Sequence, residues 1–221
     1  MIRALVFDFD GVILDTETPF FKSWQEIYQE YGYDLSISDW GSMLGSFSDP
    51  QDPYERLEDY LGSSLDREAI RTKRSNREMD LLKTEAVLPG VESILIKGRR
   101  LGLKLGVASS SERKWVTNHL DRLGLLSHFE CIMCAEDVQF TKPYPDLYQA
   151  VCSALDLRPA QAIAFEDTLN GVLAAKRAGL YCIAIPTLIT RHLTMSEADM
   201  IVASLEEVKL EELIERMKDR N

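Results

Sequence analysis

The stretch ALVFDFDGVILDTE, residues 4–17, decides the fold and points to the chemistry. Its four apolar residues end abruptly at Asp8, a second carboxylate follows at Asp10, and Gly11 leads into another apolar run. A short, continuous apolar run is typical of a strand that is buried on both faces of a parallel sheet. The sequence therefore predicts a buried strand with two acids at its carboxyl end.

Apolar runs of the same kind recur along the chain, with helical patterns between them. The predicted strands are 3–8, 103–109, 131–135, 162–166, 181–186 and 200–204, and the predicted helices between and after them are 91–100, 112–123, 145–155, 169–178 and 206–218. Alternating strands and helices indicate a doubly wound parallel sheet. We therefore expect an α/β fold with a doubly wound, mostly parallel, Rossmann-like core.

Residues 17–85 interrupt this alternation, because they carry helical patterns and no strong strand. The segment GSMLGSFSDPQDP, residues 41–53, is rich in Gly, Ser and Pro, which favours a loop. We predict a catalytic core formed by 1–15 and 88–221, with an all-helical cap inserted at 16–87.

Polar side chains follow four of the predicted strands, and ligands of open parallel sheets bind at the carboxyl ends of strands. These side chains are Asp8, Asp10, Ser109, Ser110, Ser111, Lys142, Glu166 and Asp167. Several acids at one edge repel each other unless a cation neutralises them, and oxygen ligands suit Mg²⁺, which often joins a substrate phosphate. An ammonium and a hydroxyl suit the remaining phosphate oxygens. One aspartate can attack phosphorus while the other transfers protons, so the pattern predicts phosphoryl transfer.

Four short motifs occur in order along the chain: DFDGVILDTE (8–17), VASSS (107–111), TKPYPD (141–146) and AFEDTLNG (164–171). With these motifs the chain resembles the haloacid dehalogenase superfamily, and within it the β-phosphoglucomutase-like phosphatases, which have a helical cap. The resemblance covers the whole chain. One such motif alone would be a weak signal, whereas four in order are highly specific.

The resemblance implies catalytic roles for Asp8 as the nucleophile, Asp10 as the acid/base and Lys142 as the residue that steadies nucleophile and phosphate. It implies that the substrate phosphate is bound by Lys142, by the Ser109 hydroxyl and by the Ser110 backbone N–H.

The resemblance also implies Mg²⁺ as the cofactor. Its ligands would be Asp8, the backbone carbonyl of Asp10, Asp167 and Glu166. Glu166 would bind the metal either directly or through water.

Several of these residues also have a simpler structural interpretation. Ser109 or Ser111 could cap the helix that follows, and Ser111 is the better candidate for a cap. We interpret Trp115 as a packing residue. Cys131 and Cys134 form a CxxC pair without a second ligand pair at zinc spacing, so we interpret them as ordinary buried thiols.

Composition limits the partners and the location that we expect. The net charge of −11 disfavours nucleic-acid backbones and anionic membranes as partners. No run of 18 apolar residues exists, and the first residues lack the pattern of a signal peptide. We therefore expect a cytoplasmic monomer whose partner is a small phosphorylated metabolite.

Phosphomutase activity is the nearest alternative to phosphatase activity. Mutases of the β-phosphoglucomutase type carry a cap histidine in the register where this chain has Phe20, and an arginine in a cap loop that here reads GSFSDPQDP, residues 45–53. Neither residue is present, so we expect hydrolysis. A non-catalytic module that binds phosphate and metal is the second alternative, although such modules normally lose the acids that this chain keeps at Asp8, Asp10 and Asp167.

Overall fold

The computed structural model describes residues 1–45, 52–192 and 194–218. The chain divides into two compact units. The first consists of Met1–Leu14, Ala86–Thr187 and Thr194–Asn221, and the second of Asp15–Glu85 and Leu188–Leu193.

The first unit contains the sheet that the sequence predicts. Its strands within the described residues are β1 (Ala4–Phe7), β2 (Lys104–Ala108), β3 (Cys131–Met133), β4 (Ala162–Glu166), β5 (Tyr181–Ala184) and β6 (Met200–Ile201). All neighbouring pairs are parallel, in the order β3-β2-β1-β4-β5-β6. This order reverses between β1 and β4, which is where ligands bind in doubly wound folds.

Helices connect the strands of the first unit and build most of the second. They are α1 (Glu17–Glu30), α2 (Ile37–Gly45), α3 (Pro53–Leu61), α4 (Arg67–Leu82), α5 (Val91–Arg100), α6 (Arg113–Arg122), α7 (Asp146–Ala154), α8 (Leu169–Ala178) and α9 (Leu210–Lys218). The α/β, Rossmann-like architecture expected from the sequence is confirmed. No helix among the described residues is both long enough and apolar enough to cross a membrane.

Strands β1 and β4 form the buried centre of the sheet. Every residue of both strands is buried, as their continuous apolar runs predict. Phe7 lies opposite Phe165 in the register, and their rings stack with centroids 4.8 Å apart. The Asp8 N–H continues the ladder by donating to the Phe165 carbonyl at 3.0 Å. The pairing therefore places Asp8 beside the last residue of β4, Glu166.

The second unit has its own core, which is rich in aromatic rings. Its buried members are Phe21, Trp24, Ile27, Tyr28, Leu35, Trp40, Met43, Leu57, Ile70 and Ile189. Nine of them come from the segment between Asp15 and Glu85, whereas Ile189 comes from the short segment Leu188–Leu193. The core of this unit is thus assembled from two separate parts of the chain.

The predicted loop at 41–53 is wrong at both ends. Residues 41–45 belong to α2, where Trp40 and Met43 are buried in the aromatic core. Burial of these side chains stabilises a helix despite the low helix propensity of glycine and serine. At the other end, Asp52 caps α3 by accepting a hydrogen bond from the Tyr54 N–H at 3.0 Å. Residues 46–51, which make up most of the cap loop GSFSDPQDP (45–53), lie outside the described residues.

Two predictions near the C-terminus are longer than the elements observed. The strand predicted at 200–204 is confined to Met200–Ile201, and the helix predicted from residue 206 begins at Leu210. A single turn at Leu205–Glu207, capped by the Ser204 hydroxyl, separates the two. Serine competes for local hydrogen bonds and so ends the extended segment.

Of the two CxxC cysteines, Cys134 is buried, as the sequence predicts, whereas Cys131 is only partly buried. Burial raises the pKa of Cys131 and that of Cys134 to about 11. Both thiols are therefore protonated at neutral pH, whereas reactive or metal-binding cysteines are thiolates.

Candidate active site

Three buried carboxylates meet at the carboxyl ends of β1 and β4. Asp8 is 7% exposed, Glu166 0% and Asp167 1%. One oxygen from each lies within 4.8 Å of the others. Glu166 ends β4 and Asp167 follows it, so adjacent parallel strands are enough to bring these acids together.

Lys142 joins two of these carboxylates. Its Nζ lies 2.7 Å from Asp8 Oδ1 and 2.6 Å from Glu166 Oε1, and its side chain is 6% exposed. The Tyr148 hydroxyl, from α7, also donates a hydrogen bond to Glu166 Oε1. Asp8 Oδ1 accepts a further hydrogen bond from the Phe9 N–H at 2.7 Å. The nucleophile candidate is therefore held on one oxygen by an ammonium and a backbone amide.

The electrostatics of this cluster are dominated by burial. Burial, and next the charge of Glu166, raise the pKa of Asp8 well above its ordinary value, although Lys142 acts in the opposite direction. Burial lowers the pKa of Lys142, but Asp8 and Glu166 more than offset it, so the net shift is upward. Lys142 thus stays an ammonium, and an additional positive charge near Asp8 would lower the pKa of its carboxyl again.

The donor set fits a divalent cation with a preference for oxygen ligands. Three carboxylates outnumber the one ammonium, Lys142, that pairs with Asp8 and Glu166 in this buried cluster. Within the described part of the chain, Glu166 Oε2 is buried without a hydrogen-bond partner. Buried charges require a partner or a metal, and hard oxygen donors suit Mg²⁺.

Two glycines make room for the acidic cluster. A Cβ on Gly171 would lie 1.8 Å from Glu166 Oε2, and a Cβ on Gly11 would lie 2.1 Å from Asp167 Oδ2. Gly11 also has a φ of +76°, which other residues rarely adopt. The glycines in the first and fourth motifs are therefore explained by the close approach of carboxylates.

Gly11→Ala is expected to weaken the binding of a divalent cation at the acidic cluster, because the new methyl group must displace the Asp167 carboxylate. Disturbing the surroundings of a metal ligand typically lowers affinity by about 10- to 100-fold. Titration calorimetry with Mg²⁺ measures this directly. Gly124→Ala is the matched control: its φ is +70° and nothing lies within 4 Å of the new Cβ, so it carries similar backbone strain without the collision. Equal Mg²⁺ affinity in the two variants would contradict this explanation.

Asp10 lies in a second group of polar side chains. Its Oδ1 accepts a hydrogen bond from the Trp115 indole N–H at 3.0 Å. Its Oδ2 accepts one from the Ser111 hydroxyl at 2.6 Å and lies 3.4 Å from the Ser109 hydroxyl. Both carboxylate oxygens of Asp10 are therefore engaged, and all of their partners come from the segment between β2 and the first turn of α6.

The structure arranges the predicted site residues in these two groups. Asp8, Lys142, Glu166 and Asp167 form the acidic cluster, whereas Ser109 lies with Asp10. The Ser110 side chain is exposed. The prediction for Ser110 concerns its backbone N–H and stays a prediction, as do the catalytic roles of the other residues.

Sequence reasoning missed three contacts in this region. Ser111 does not cap α6, whose N-cap residue is Glu112, and instead donates to Asp10. Trp115 is not only a packing residue, because its indole N–H also reaches Asp10. Tyr148 lies outside the four motifs, although its hydroxyl donates a hydrogen bond to Glu166. The motifs mark the acids themselves, but no local signal marks donors that approach from distant positions.

Comparison with known proteins identifies the family to which the chain belongs. The family model of haloacid dehalogenase-like hydrolases matches residues 5–185, which contain both groups of polar side chains. The chain belongs to this family. This match confirms the resemblance to the haloacid dehalogenase superfamily that the four motifs indicate.

Several relatives of the hydrolase are similar over most of its length. YhcW of Bacillus subtilis, whose name as a phosphatase is provisional, is 42% identical over 221 residues, or 100% of both chains. The fructose-1-phosphate phosphatase YqaB of Escherichia coli is 31% identical over 80% of the hydrolase and 93% of its own length. The β-phosphoglucomutase of Bacillus subtilis is 29% identical, over 97% and 95% respectively.

A solved structure shares the fold of the hydrolase. It is a variant of CbbY from Rhodobacter sphaeroides in complex with xylulose-1,5-bisphosphate, with a TM-score of 0.70 and 28% identity. The match covers 95% of the hydrolase and 97% of the CbbY chain. A phosphatase and a mutase are both similar in sequence to the hydrolase over most of its length, so the choice between these reactions depends on individual residues.

Proposed function

We propose that the hydrolase is a Mg²⁺-dependent phosphatase that cleaves a small phosphorylated metabolite, such as a sugar phosphate, through an aspartyl-phosphate. It is a phosphoric monoester hydrolase, the class to which its phosphatase relatives belong. The observation that carries the proposal is the Lys142 ammonium between Asp8 and Glu166, with Asp167 beside them. An ammonium and a metal at one carboxylate suit an incoming phosphate dianion.

The residues that would hold Mg²⁺ are Asp8, the Asp10 carbonyl, Asp167 and Glu166, the last directly or through water. When bound, the cation would offset the repulsion between the Asp8 carboxylate and the phosphate. Lys142, the Ser109 hydroxyl and the Ser110 N–H would bind the phosphate oxygens, so the phosphorus faces Asp8.

Two proton transfers by Asp10 accompany the two chemical steps. In the first, an Asp8 oxygen forms a bond to phosphorus, the bond to the leaving oxygen breaks, and Asp10 gives that oxygen a proton. In the second, Asp10 takes a proton from water while the water oxygen attacks phosphorus. The bond to Asp8 breaks, and inorganic phosphate is released. Asp10 and Asp8 are thereby regenerated.

We expect phosphate release to require the metal. A screen of sugar phosphates and nucleotides, with inorganic phosphate as the readout, should give turnover with Mg²⁺ and none after exhaustive chelation with EDTA. Turnover should return when Mg²⁺ is added back. Ca²⁺ should not restore it, because its looser and higher coordination does not reproduce octahedral geometry. Full activity in the chelated enzyme would contradict the metal assignment, and no release from any substrate would contradict the phosphatase proposal.

Phosphomutase activity is the second candidate, because a β-phosphoglucomutase is among the similar relatives. Phe20 argues against it. This ring packs against Trp40, with centroids 5.6 Å apart, and lies 4.7 Å below the Arg74 guanidinium. A phenylalanine ring cannot donate or accept a proton, so Phe20 cannot replace the histidine that mutases carry in this register. The cap loop at residues 45–53 has no arginine in its sequence and lies mostly outside the described residues.

Glucose 1-phosphate with a glucose bisphosphate activator separates the two candidates. A phosphatase releases inorganic phosphate from the mixture, as we expect here. A mutase converts glucose 1-phosphate to glucose 6-phosphate with negligible phosphate release, and that result would replace the proposed reaction.

A further inference from the structure

Three hydrogen-bond donors surround the Asp10 carboxylate, and the two proton transfers proposed for Asp10 give none of them a role. Trp115 donates to one oxygen at 3.0 Å, and Ser111 donates to the other at 2.6 Å. The third hydroxyl, that of Ser109, is more distant at 3.4 Å. Ser109 is also the residue assigned to the substrate phosphate, so its hydroxyl has two competing acceptors.

The Trp115 ring is fixed by its own neighbours. It lies in the first turn of α6, and its ring meets the His119 ring edge-on, with centroids 4.5 Å apart. These two residues are four positions apart and so share one face of the helix. His119 is buried and also lies near Phe9, with ring centroids 6.1 Å apart. Phe9 is the residue between Asp8 and Asp10, so the His119 ring lies between the indole and a side chain of the segment that carries both acids.

We propose that Trp115, together with Ser111, is a positioning residue that holds Asp10 for proton transfer while Ser109 turns to the substrate phosphate. This inference rests on the proposed function. Trp115 and Ser111 bind both oxygens of Asp10 without help from Ser109. When Ser109 donates to the phosphate, Asp10 therefore keeps two donors and does not swing away from the leaving oxygen or the attacking water.

Trp115→Phe tests this role, because phenylalanine keeps an aromatic ring against His119 but removes the N–H donor. Misplacement of a catalytic group typically costs up to about 100-fold in rate. With a sugar phosphate, for which both proton transfers by Asp10 become slower, we expect kcat to fall by about 10- to 100-fold with little change in KM. Ser111→Ala, which removes only a hydroxyl, should act in the same direction and guards against a variant that fails to fold.

Burst kinetics with p-nitrophenyl phosphate locate the affected step. Nitrophenolate leaves without needing a proton, so phosphorylation of Asp8 should stay fast in Trp115→Phe. Release of the phosphate from Asp8 needs water activated by Asp10 and should become slow. We expect a burst of about one nitrophenolate per active site, followed by slow turnover. Turnover within about twofold of the wild type, or slow turnover without a burst, would overturn the proposal.

A second measurement does not depend on activity. The chain has three tryptophans, so its NMR spectrum should contain three indole N–H signals. In Asp10→Ala, the Trp115 signal should shift strongly because its acceptor is lost, while those of Trp24 and Trp40 serve as internal references. An unchanged Trp115 signal would overturn the contact itself. If the shift occurs but the wild type releases no phosphate from any substrate, the proposed function fails and the contact stands.

Discussion

Asp8→Asn is expected to abolish turnover, with a loss of about 10⁴-fold or more, as is typical when a covalent nucleophile is removed. An amide is a poor nucleophile, so no bond to phosphorus forms. Asparagine preserves the size of the side chain, and the ion pair between Lys142 and Glu166 at 2.6 Å can persist. Phosphate release and mass spectrometry of the acid-quenched enzyme measure the loss, since a phosphorylated aspartate should be trapped only in the wild type.

Asp121→Asn provides the control for this change. Asp121 lies on α6 with an exposed side chain, so it undergoes the same chemical substitution away from the acidic cluster. Its turnover should equal that of the wild type. Near-normal activity in Asp8→Asn would show that another group attacks the phosphorus.

Lys142→Met is expected to lower both activity and stability, because it removes the cation that lies between two buried carboxylates. Removing one partner of a buried ion pair typically costs about 3–5 kcal/mol in the free energy of unfolding. We expect a loss of this size in denaturant titrations with EDTA, and a smaller loss with Mg²⁺ present, since the metal compensates part of the charge. Turnover should fall steeply in both conditions.

Two further variants identify the cause of the instability. The double variant Lys142→Met, Glu166→Gln removes one cation and one anion, so stability should recover while activity stays low. Lys176→Met removes a partly exposed ammonium 2.5 Å from Asp199 and should cost at most about 1 kcal/mol. If Lys142→Met unfolded at the same denaturant concentration as the wild type in EDTA, the acidic cluster would not depend on Lys142 for its stability.

The sheet could be predicted from the sequence because each buried parallel strand is a short run of apolar residues with no polar face. The acids at the strand ends interrupt those runs, so Asp8 and Glu166 were visible as well. Parallel pairing then requires the ends of neighbouring strands to meet. For this reason, the acidic cluster of Asp8, Glu166 and Asp167 follows from the strand pattern once β1 and β4 are neighbours.

The remaining features depend on contacts that no local pattern contains. Trp115 and Asp10 are separated by 105 positions. Their hydrogen bond depends on the pairing of β1 with β2, so the sequence near either residue does not predict it. Residues 41–45 resemble a loop in composition, but Trp40 and Met43 draw them into a helix by burial. In this second case tertiary packing overrides the local signal.

Ile189 has a consequence for exchanging parts among related enzymes. The helical unit takes this side chain, which is 3% exposed, from a segment that lies more than 100 positions beyond the rest of its core. A helical unit transplanted as the single insert 15–85 would leave that apolar contribution behind in the donor. Recombination that keeps this unit intact must therefore move two pieces of chain together.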